Sequence, residues 1–316
     1  MNIKIPKDVN SIITTLKNKG YEAYVVGGCV RDSILKKKPK DWDITTVAKP
    51  EEIISLFNKV IPTGIKHGTV TVIINNQGYE VTTYRTDGEY EDSRHPKQVE
   101  FVKTLEEDLS RRDFTINAMA YNNTKGLVDY FGGINDLKNK KIKTVGDPDK
   151  RFQEDALRML RAIRFSAQLG FDIEEKTIES IKLLKYNISN ISLERIRDEF
   201  NKILLCNPRK LDLLKECGLL EYIVPQLVKE ESKNLYESSI KGAENIECKL
   251  YLRLTMLLCN LEECNIKNKN VNNCYNDNLI IEVNSILKRF KYDNNTINKI
   301  LILIKYKDFK LSNRVS

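Results

Sequence analysis

The pattern of apolar residues changes near Asp147, and this change constrains the fold more than any other feature of the chain. Before it, short runs rich in β-branched residues alternate with amphipathic stretches, which is typical of strands mixed with helices. After it, apolar residues recur about every 3.6 residues over almost the whole remaining chain. The sequence therefore predicts an α+β head with a small mixed sheet, followed by an all-α neck and body.

The individual elements follow from this periodicity and from the Gly, Pro and Asn residues that interrupt it. Strands are predicted in the head at 21–26, 42–47, 69–74 and 79–85, with a hairpin turn at 75–78. Helices are predicted there at 7–19, from about Val30, and at 50–59. In the remainder, helices are predicted at 151–169, 174–186, 193–205, 209–219, 246–260 and within 279–308, with a loop at 264–278.

A chain of 316 residues exceeds what one hydrophobic core usually supports, so several domains are expected. We predict a head at 1–147, a helical neck at 148–206, a helical body at 207–264 and a short or truncated helical tail at 265–316. No apolar run approaches the roughly 18 residues that cross a bilayer, and the opening residues lack the apolar segment of a signal peptide. A cytoplasmic protein without membrane contact is expected.

Cysteine content and charge exclude some classes of protein and permit others. The seven cysteines are an odd number without a C-x-x-C pair, and only two histidines accompany them, so neither a disulfide framework nor a zinc site is indicated. The formal net charge of +8 is compatible with a polyanionic partner. Because lysine-rich surfaces are common, the charge alone does not identify one, and no obligate protein partner is evident.

Two aspartates in the stretch KPKDWDITTV raise the question of a metal site. On a strand, residues i and i+2 point to one face, so Asp41 and Asp43 would present two carboxylates side by side while Trp42 and Ile44 pack behind them. Like charges so close repel unless a cation lies between them, and Mg²⁺ prefers such oxygen ligands. The pattern also occurs by chance, and turn and strand chemistry alone is the commoner explanation of an isolated D-x-D.

The preceding stretch VVGGCVRD adds the elements of a phosphate site. A strand runs into Gly27 and Gly28 and then into a helix, and glycines let the backbone approach a ligand whose phosphate the helix N-terminus attracts. Arg31 would add a cation beside this cradle. Alternatively, the glycines make only a tight turn, and Arg31 is a solvated side chain paired with Asp32. Together with Asp41 and Asp43, the stretch supplies the groups that nucleotidyl transfer requires.

These two stretches resemble the signature of class II nucleotidyltransferases of the DNA polymerase beta superfamily, the family of bacterial CCA-adding enzymes and poly(A) polymerases. The similarity continues in order through further strings and covers most of residues 20–205. Those strings are KHGTVTV, TYRTDGEYEDSRHP, LEEDLSRRDFTINAMAYN, LVDYFGGINDLKNKKIKTVGDP and RFQEDALRMLRAIRFSAQLGF. Several are long and unusual, so chance does not explain the match.

The resemblance implies a role for each matching residue. Asp41 and Asp43 would hold Mg²⁺ and act as the catalytic carboxylates, and Gly28 and Arg31 would contact the nucleotide. Arg112 would contact the triphosphate. Glu80 is a possible third carboxylate, and an exposed sheet residue is the alternative for it. The segment 87–96 is expected to be a flexible loop, which in CCA-adding members is linked to the switch to AMP addition.

The stretch EDALRMLRAIRF is predicted to place Glu154, Asp155, Arg158, Arg161 and Arg164 on one helix. At about 100° per residue, Asp155 and Arg158 lie roughly 60° apart and could address one ligand. A carboxylate accepts from an exocyclic amino group and an arginine donates to ring acceptors, so this pair favours C and A over U and G.

An amphipathic helix with a polar face is the alternative explanation of this charged stretch. The stretch EDALRMLRAIRF itself matches the family's EDxxR element, which is thought to select CTP and ATP. Arg161 and Arg164 would steady the helix or touch phosphates, as nucleotide-binding residues. The later helix 192–205 is expected to brace it through ion pairs of Arg195, Arg197 and Glu199.

The resemblance implies template-independent addition of C, C and A to the 3′ end of tRNA, with CTP and ATP as substrates and release of pyrophosphate. Three alternatives stay open: an A-adding tRNA nucleotidyltransferase, a bacterial poly(A) polymerase, and a noncatalytic RNA-binding module. The sequence gives no oligomeric state. Family members often continue into a longer helical tail that grips tRNA, so a short or truncated tail would weaken tRNA binding.

Overall fold

The computed structural model of the protein describes residues 2–88, 99–228, 233–261 and 274–307. It divides into two compact units, one of Met1–Arg158 with Phe171–Ser180 and one of Met159–Gly170 with Ile181–Ser316. The domain boundaries drawn from the sequence at 147, 206 and 264 stay predictions. Most of the loop predicted at 87–96 and much of that at 264–278 lie outside the described residues. No described helix is long and apolar enough to span a bilayer.

The first unit is built on a seven-stranded mixed sheet with the order β3-β4-β5-β2-β1-β8-β9. β2 and β5 run parallel, and the other neighbours in this sheet are antiparallel. Two smaller sheets pair β6 with β7 and β10 with β11. The strands are β1 Ala23–Val26, β2 Ile44–Thr46, β3 Val60–Gly64, β4 Thr69–Ile74, β5 Gln77–Thr83, β6 Arg85–Asp87, β7 Val99–Phe101, β8 Met119–Asn122, β9 Gly126–Asp129, β10 Lys141–Ile142 and β11 Asp172–Ile173.

The sheet's core strand is β1, whose four residues are all buried because β2 and β8 flank it on both sides. Tyr24 and Val26 belong to a cluster that includes Tyr84, Leu109 and Val145, so β1 is held from several parts of the unit. The burial on both edges and faces explains why its sequence, AYVV, lacks polar alternation. The strand ends directly at the two glycines, and its position therefore fixes where they lie.

The predicted hairpin is confirmed, with a tighter turn than expected. β4 occupies the predicted residues, and Ile74 pairs with Gln77, so Asn75 and Asn76 alone make the turn. Both have positive φ, 51° and 63°, as a type I′ turn requires, and asparagine tolerates that conformation. β5 consequently begins at Gln77 rather than at residue 79.

The strand predicted at 42–47 is shorter, since β2 contains only Ile44–Thr46. Asp41 and Asp43 therefore precede the strand instead of lying on it. The alternation of side chains along a strand thus does not place their two carboxylates on one face. Asp43 nevertheless continues the ladder, because its carbonyl oxygen accepts the Val26 N–H at 3.0 Å. The two aspartates thus lie at the entry to β2, beside the end of β1.

Helices make up most of the rest of both units. Those of the first half are α1 Lys7–Asn18, α2 Gly28–Ile34, α3 Pro50–Leu56, α4 Leu105–Ser110, α5 Gly133–Lys138, α6 Pro148–Glu154, α7 Leu157–Leu169 and α8 Glu175–Leu184. Those that follow are α9 Leu193–Cys206, α10 Leu211–Glu216, α11 Leu220–Ile223, α12 Lys233–Asn245, α13 Leu250–Leu258, α14 Cys274–Arg289 and α15 Asn294–Lys305. The predicted all-α character after Asp147 is confirmed, apart from the two-residue strand β11.

The prediction of a single helix at 151–169 is wrong, because α6 ends before Asp155 and α7 begins at Leu157. Asp155 has extended dihedral angles, φ −144° and ψ 103°. Its carboxylate Oδ1 accepts the Leu157 N–H at 3.0 Å, which caps the new helix. The prediction that Asp155 and Arg158 share one face of a helix is therefore wrong.

In the second unit, α9 braces α7 through a largely buried ion pair. Arg164 Nε lies 2.7 Å from Glu199 Oε2, and their side chains are 11% and 5% exposed. Arg197 of α9 donates to the carbonyl oxygen of Lys291, just after α14, at 2.6 Å. The expected bracing of α7 by an ion pair of Glu199 is confirmed, whereas the ion pair of Arg197 is with its neighbour Asp198 and does not involve α7.

Candidate active site

The turn between β1 and α2 requires glycine at its first position. Gly27 has φ 80° and ψ −127°, a conformation that residues with a Cβ rarely adopt. A Cβ there would also lie 2.9 Å from Nη1 of Arg112. At Gly28, the first residue of α2, a Cβ would make only an ordinary contact, 3.7 Å from Arg31 Nη2. The close approach of the turn to Arg112 thus depends on Gly27, whereas Gly28 is the glycine predicted to contact the nucleotide.

Arg31 is buried, in contrast to a solvated side chain. Its Nε and Nη2 lie 2.9 and 2.8 Å from Oδ1 of Asp32, and its Nη1 donates to Oδ1 of Asn117 at 2.7 Å. Asn117 in turn donates from Nδ2 to Oδ1 of the buried Asp113 at 3.1 Å. The pairing with Asp32 proposed from the sequence is present, and Asn117 and Asp113 hold the guanidinium in a fixed place beside the Gly27–Gly28 turn.

Asp41 and Asp43 are both exposed at the entry to β2. Desolvation by neighbouring protein atoms raises the pKa of Asp43; the charge of Arg112 opposes this rise, and the charges of Glu80 and Asp41 add to it. The Asp43 carboxylate thus stands among like charges, an arrangement that a bound cation would relieve. Carboxylate oxygens are the ligands that Mg²⁺ prefers, so this pair fits a magnesium ion.

Glu80 lies on β5, opposite Thr71 of β4, and its side chain is exposed. Its charge reaches Asp43, as the pKa of Asp43 shows. Within the described part of the chain, however, no three His, Cys, Asp or Glu side chains are grouped closely enough to hold a metal ion. A metal at Asp41 and Asp43 would leave coordination positions that substrate phosphates could fill.

Asp108, which the sequence analysis did not single out, organises the arginines next to these carboxylates. Its side chain is fully buried, and Arg111 and Arg112 approach it at 2.9 and 3.7 Å. Burial alone would raise the pKa of Asp108, but the two arginines and a 3.0 Å hydrogen bond from Thr45 reverse this, so the pKa is lowered. Because Thr45 is two residues after Asp43, Asp108 ties the arginines to β2, the strand that Asp41 and Asp43 directly precede.

Arg112 is the arginine that faces the candidate site most directly. Its Nη1 lies against Gly27, and the charge of Asp43 acts on it. Burial lowers the pKa of Arg112, against the opposing charge of Asp108. Its Nε is buried and has no hydrogen-bond acceptor among the described residues. A buried donor without an acceptor costs free energy, so this guanidinium is suited to receive an anionic oxygen.

Arg158 is anchored to the same arginine segment. Its Nη2 donates to the carbonyl oxygen of Arg111 at 3.1 Å, and its Nη1 donates to Glu154 at 2.6 Å and to the Arg151 carbonyl at 3.2 Å. The Arg158 N–H also donates to the carbonyl oxygen of Asp155 at 3.0 Å. The structure thus fixes the Arg158 guanidinium and places Asp155 in the turn directly before it.

Arg161 and Arg164 lie on the part of α7 that belongs to the second unit. Both guanidinium groups approach the ring of Phe165, at 5.5 and 3.6 Å from its centroid. Arg164 also pairs with Glu199, as described above. These contacts within the second unit give both arginines a part in steadying the helix.

Comparison with known proteins identifies the family. The family model of the poly A polymerase head domain matches residues 23–143, and that of a probable RNA and SrmB-binding site of polymerase A matches residues 170–230. The CCA-adding enzyme of Lactobacillus helveticus is 55% identical over 192 residues, which are 61% of this chain and 48% of that protein. That of Enterococcus faecalis is 41% identical over 308 residues, 97% of this chain and 72% of that protein.

The fold agrees with these relatives. The crystal structure of the Bacillus stearothermophilus CCA-adding enzyme in complex with CTP superposes with a TM-score of 0.64 at 32% identity, covering 93% of this chain and 76% of that one. This chain thus spans about half the length of the Lactobacillus helveticus relative and under three quarters of the Enterococcus faecalis one. The resemblance drawn from the sequence is confirmed: the chain belongs to the CCA-adding enzyme family of nucleotidyltransferases.

Proposed function

We propose that this protein adds C, C and A to the 3′ end of tRNA without a nucleic-acid template, consuming CTP and ATP and releasing pyrophosphate. The observation that carries the proposal is the grouping of Asp41 and Asp43 with Arg112, in a unit whose sequence belongs to the CCA-adding family. Two carboxylates and a fixed cation are the groups that stabilise a triphosphate undergoing in-line attack.

The carboxylates would hold a divalent metal, which members of the family generally use, and we propose Mg²⁺ at Asp41 and Asp43. When bound, it would neutralise triphosphate charge and make the RNA 3′-hydroxyl a better nucleophile. The charges around Asp43 support this proposal, because those of Asp41 and Glu80 act on its carboxylate and the charge of Arg112 opposes them. Substrate phosphates would complete its ligands, since among the described residues no third His, Cys, Asp or Glu side chain is grouped with the pair.

The arginines would bind and orient the triphosphate. Arg112 offers a buried Nε that lacks an acceptor among the described residues, and Asp108 holds its guanidinium in place from behind. Arg31, fixed by Asp32 and Asn117, supplies a second cation at the Gly27–Gly28 turn. Because these groups are positioned before substrate arrives, little free energy would be spent on arranging them.

The selection of C and A would depend on Asp155 and Arg158. Both bases present an amino donor beside a ring-nitrogen acceptor, which complements a carboxylate and a guanidinium, whereas U and G present the opposite pattern. The three hydrogen bonds that fix Arg158 favour such a role, because a base edge is read accurately only by a guanidinium of fixed orientation. One of these bonds joins Arg158 to the segment of Arg112 and would couple base selection to the triphosphate contact.

The relatives support the substrates. The Bacillus stearothermophilus enzyme is named for CCA addition and its structure contains CTP, so we extend CTP to this chain. Addition of the final A would consume ATP, and the acceptor that the proposed function implies is tRNA. The matching family models are named for poly(A) polymerase, so A-tail synthesis is the competing outcome, with A-only addition as a third.

The product of extension assays would decide among these functions. Three tRNA transcripts, ending at the discriminator base, at C or at CC, are incubated with Mg²⁺ and each NTP separately, and with CTP and ATP together. Ordered addition of C, C and A that then stops is expected. Addition of A to the CC-ending tRNA alone would identify an A-adding enzyme, and long A tails would identify a poly(A) polymerase. Absence of incorporation would favour a noncatalytic RNA-binding module.

A further inference from the structure

A group of lysines lies on the connection between α2 and Asp41. Lys36, Lys37, Lys38 and Lys40 are all exposed, and Pro39 separates the last from the others. We call residues 36–40 the lysine loop. Neither the carboxylate pair nor the arginines of the candidate active site account for this concentration of charge, because none of the four lysines contributes to the contacts described above.

The backbone at the start of the lysine loop is well defined. The Lys37 N–H donates to the Asp32 carbonyl at 2.8 Å and the Lys36 N–H donates to the Ser33 carbonyl at 3.1 Å, which closes the end of α2 in a Schellman motif. Lys36 has φ 57°, the left-handed conformation that this motif needs and that glycine adopts at lower cost. The loop therefore leaves α2 in a fixed direction, with its lysines displayed at the surface.

The charge of the lysine loop has no counter-charge in the described structure. None of its four lysines forms an ion pair with a described residue. Asp32, the nearest acid before the loop, is paired with Arg31 at 2.8 Å. Asp41 and Asp43 follow the loop, but a bound metal would neutralise them. Four cations within five residues repel one another, so the loop is suited to a polyanion.

The position of the loop identifies which polyanion. An extended chain spans at most about 3.6 Å per residue, so Lys38 lies within about 11 Å of Asp41, where the reaction would take place. The triphosphate already has the fixed, partly buried Arg31 and Arg112. Exposed lysines on flexible stems instead act as point charges that follow a phosphate backbone irrespective of its bases.

We propose that the lysine loop binds the phosphates of the last nucleotides at the 3′ end of the tRNA. It would hold the strand whose terminal hydroxyl attacks, while the arginines hold the triphosphate. The proposal rests on the function proposed above, because it assumes that an RNA end reaches Asp41 and Asp43.

Salt-dependent binding tests the proposal separately from turnover. Binding of fluorescein-labelled tRNA ending at CC, whose last three nucleotides are unpaired, is measured by anisotropy in EDTA, from 50 to 500 mM KCl, for the parent and for the triple variant Lys37→Gln, Lys38→Gln, Lys40→Gln. Each lost phosphate contact lowers the slope of log K against log salt by about 0.7 for a single strand, so the slope should fall by about 2. The same relation gives an increase in Kd of about 50-fold at 150 mM salt.

A control variant removes the same charge elsewhere in the first unit. Lys138, Lys140 and Lys141 are also exposed, and Lys140 shares the left-handed conformation of Lys36. Their replacement by glutamine should change the slope by less than one contact. Arginine at positions 37, 38 and 40 should retain binding, because it retains the charge.

An unchanged slope in the loop variant would overturn the proposal, and so would an equal loss of binding in both glutamine variants. A rise in KM for CTP with unchanged tRNA binding would also overturn it and would assign the loop to the triphosphate. Failure of the proposed function is recognised separately in the extension assay, where the parent would then add no nucleotide or a product other than C, C and A.

Discussion

Replacement of Asp108 by asparagine should destabilise the first unit strongly. Asp108 is fully buried, whereas the side chains of Arg111 and Arg112 that it pairs with are 16% and 19% exposed. Asparagine keeps the shape and can still accept a hydrogen bond from Thr45, but it leaves two largely buried guanidinium groups without their counter-charge. Breaking a buried ion pair on one side costs about 3–5 kcal/mol, and partial exposure of the arginines favours the lower end, about 3 kcal/mol.

The single tryptophan of the chain, Trp42, lies in the first unit and reports its unfolding by fluorescence. Urea titrations at pH 7 give the free energy of unfolding of this unit for the parent and for Asp108→Asn. Asp172→Asn is the matched control. Its carboxylate is 78% exposed and lies 3.7 Å from Lys141, and loss of such a surface pair should cost under about 1 kcal/mol.

The pH dependence of the difference has a definite sign. Since the pKa of Asp108 is lowered in the folded protein, its contribution is fully present above the unfolded value of about 4 and is lost as the pH falls through the folded value. The gap between the parent and Asp108→Asn should therefore be constant from pH 7 to pH 5 and narrow below about pH 4. A gap under about 0.5 kcal/mol at pH 7, or one that widens in acid, would show that Asp108 is not a stabilising counter-charge of Arg111 and Arg112.

Three further substitutions test the glycine turn, the residue proposed to select the base, and the ion pair that braces α7. Gly27→Ala should raise the KM for CTP at least about tenfold, because its Cβ would displace the Arg112 guanidinium. Gly126→Ala is the control, since it also places a Cβ on a residue of positive φ, 76°, but with no atom within 4 Å of the added Cβ; equal KM values of the two variants in steady-state kinetics would contradict this. Asp155→Asn should keep the helix cap yet lower the preference for CTP over UTP by about 10- to 100-fold, measured as a ratio of kcat/KM, and an unchanged ratio would remove Asp155 from base selection. Glu199→Gln should destabilise the second unit by about 3 kcal/mol, measured by circular dichroism in urea, because it leaves Arg164 without its counter-charge. The urea midpoint of the first unit, reported by Trp42 fluorescence, should not change. A loss under about 0.5 kcal/mol in the second unit would show that the pair with Arg164 is not stabilising.

Local sequence patterns predicted those parts of the fold that are set by neighbouring residues. The alternation in TVTVII predicts β4, and the two asparagines that follow predict the turn, because both signals act within a few residues. β3 was not predicted, since it contains Pro62, which a central strand excludes. It is the edge strand of the sheet, where a missing N–H is tolerated.

The break before α7 was missed for a different reason. The apolar period continues through the EDALRML stretch, so periodicity alone predicts one helix, while Asp155 leaves the helix to cap the next one. An aspartate followed by a renewed apolar period is the signal that could have revealed the cap. The consequence reaches the site, because Asp155 and Arg158 are related by a turn rather than by a helical face.

Residues of the candidate site were proposed from the sequence where a short motif contains them. They were missed where their role depends on residues that are distant along the chain. Asp41, Asp43 and Arg112 were found from short strings of the sequence. Asp108 and Asn117 were not, because their roles depend on Thr45 and Arg31, which lie 63 and 86 residues away along the chain. The pair of arginines three and four residues after Asp108 was the available signal, since acids at that spacing on a helix face such bases.

We expect Asp41 and Asp43 to carry out metal-dependent nucleotidyl transfer on a bound RNA. Single-turnover incorporation of CMP into tRNA ending at the discriminator base tests it most directly, with tRNA affinity measured in parallel for the parent and Asp43→Asn. Loss of several kcal/mol of transition-state stabilisation predicts a rate at least about 1000-fold lower in the variant, with tRNA affinity within about twofold of the parent. Incorporation at the parental rate by Asp43→Asn would contradict the claim, as would a parent that binds tRNA and incorporates nothing.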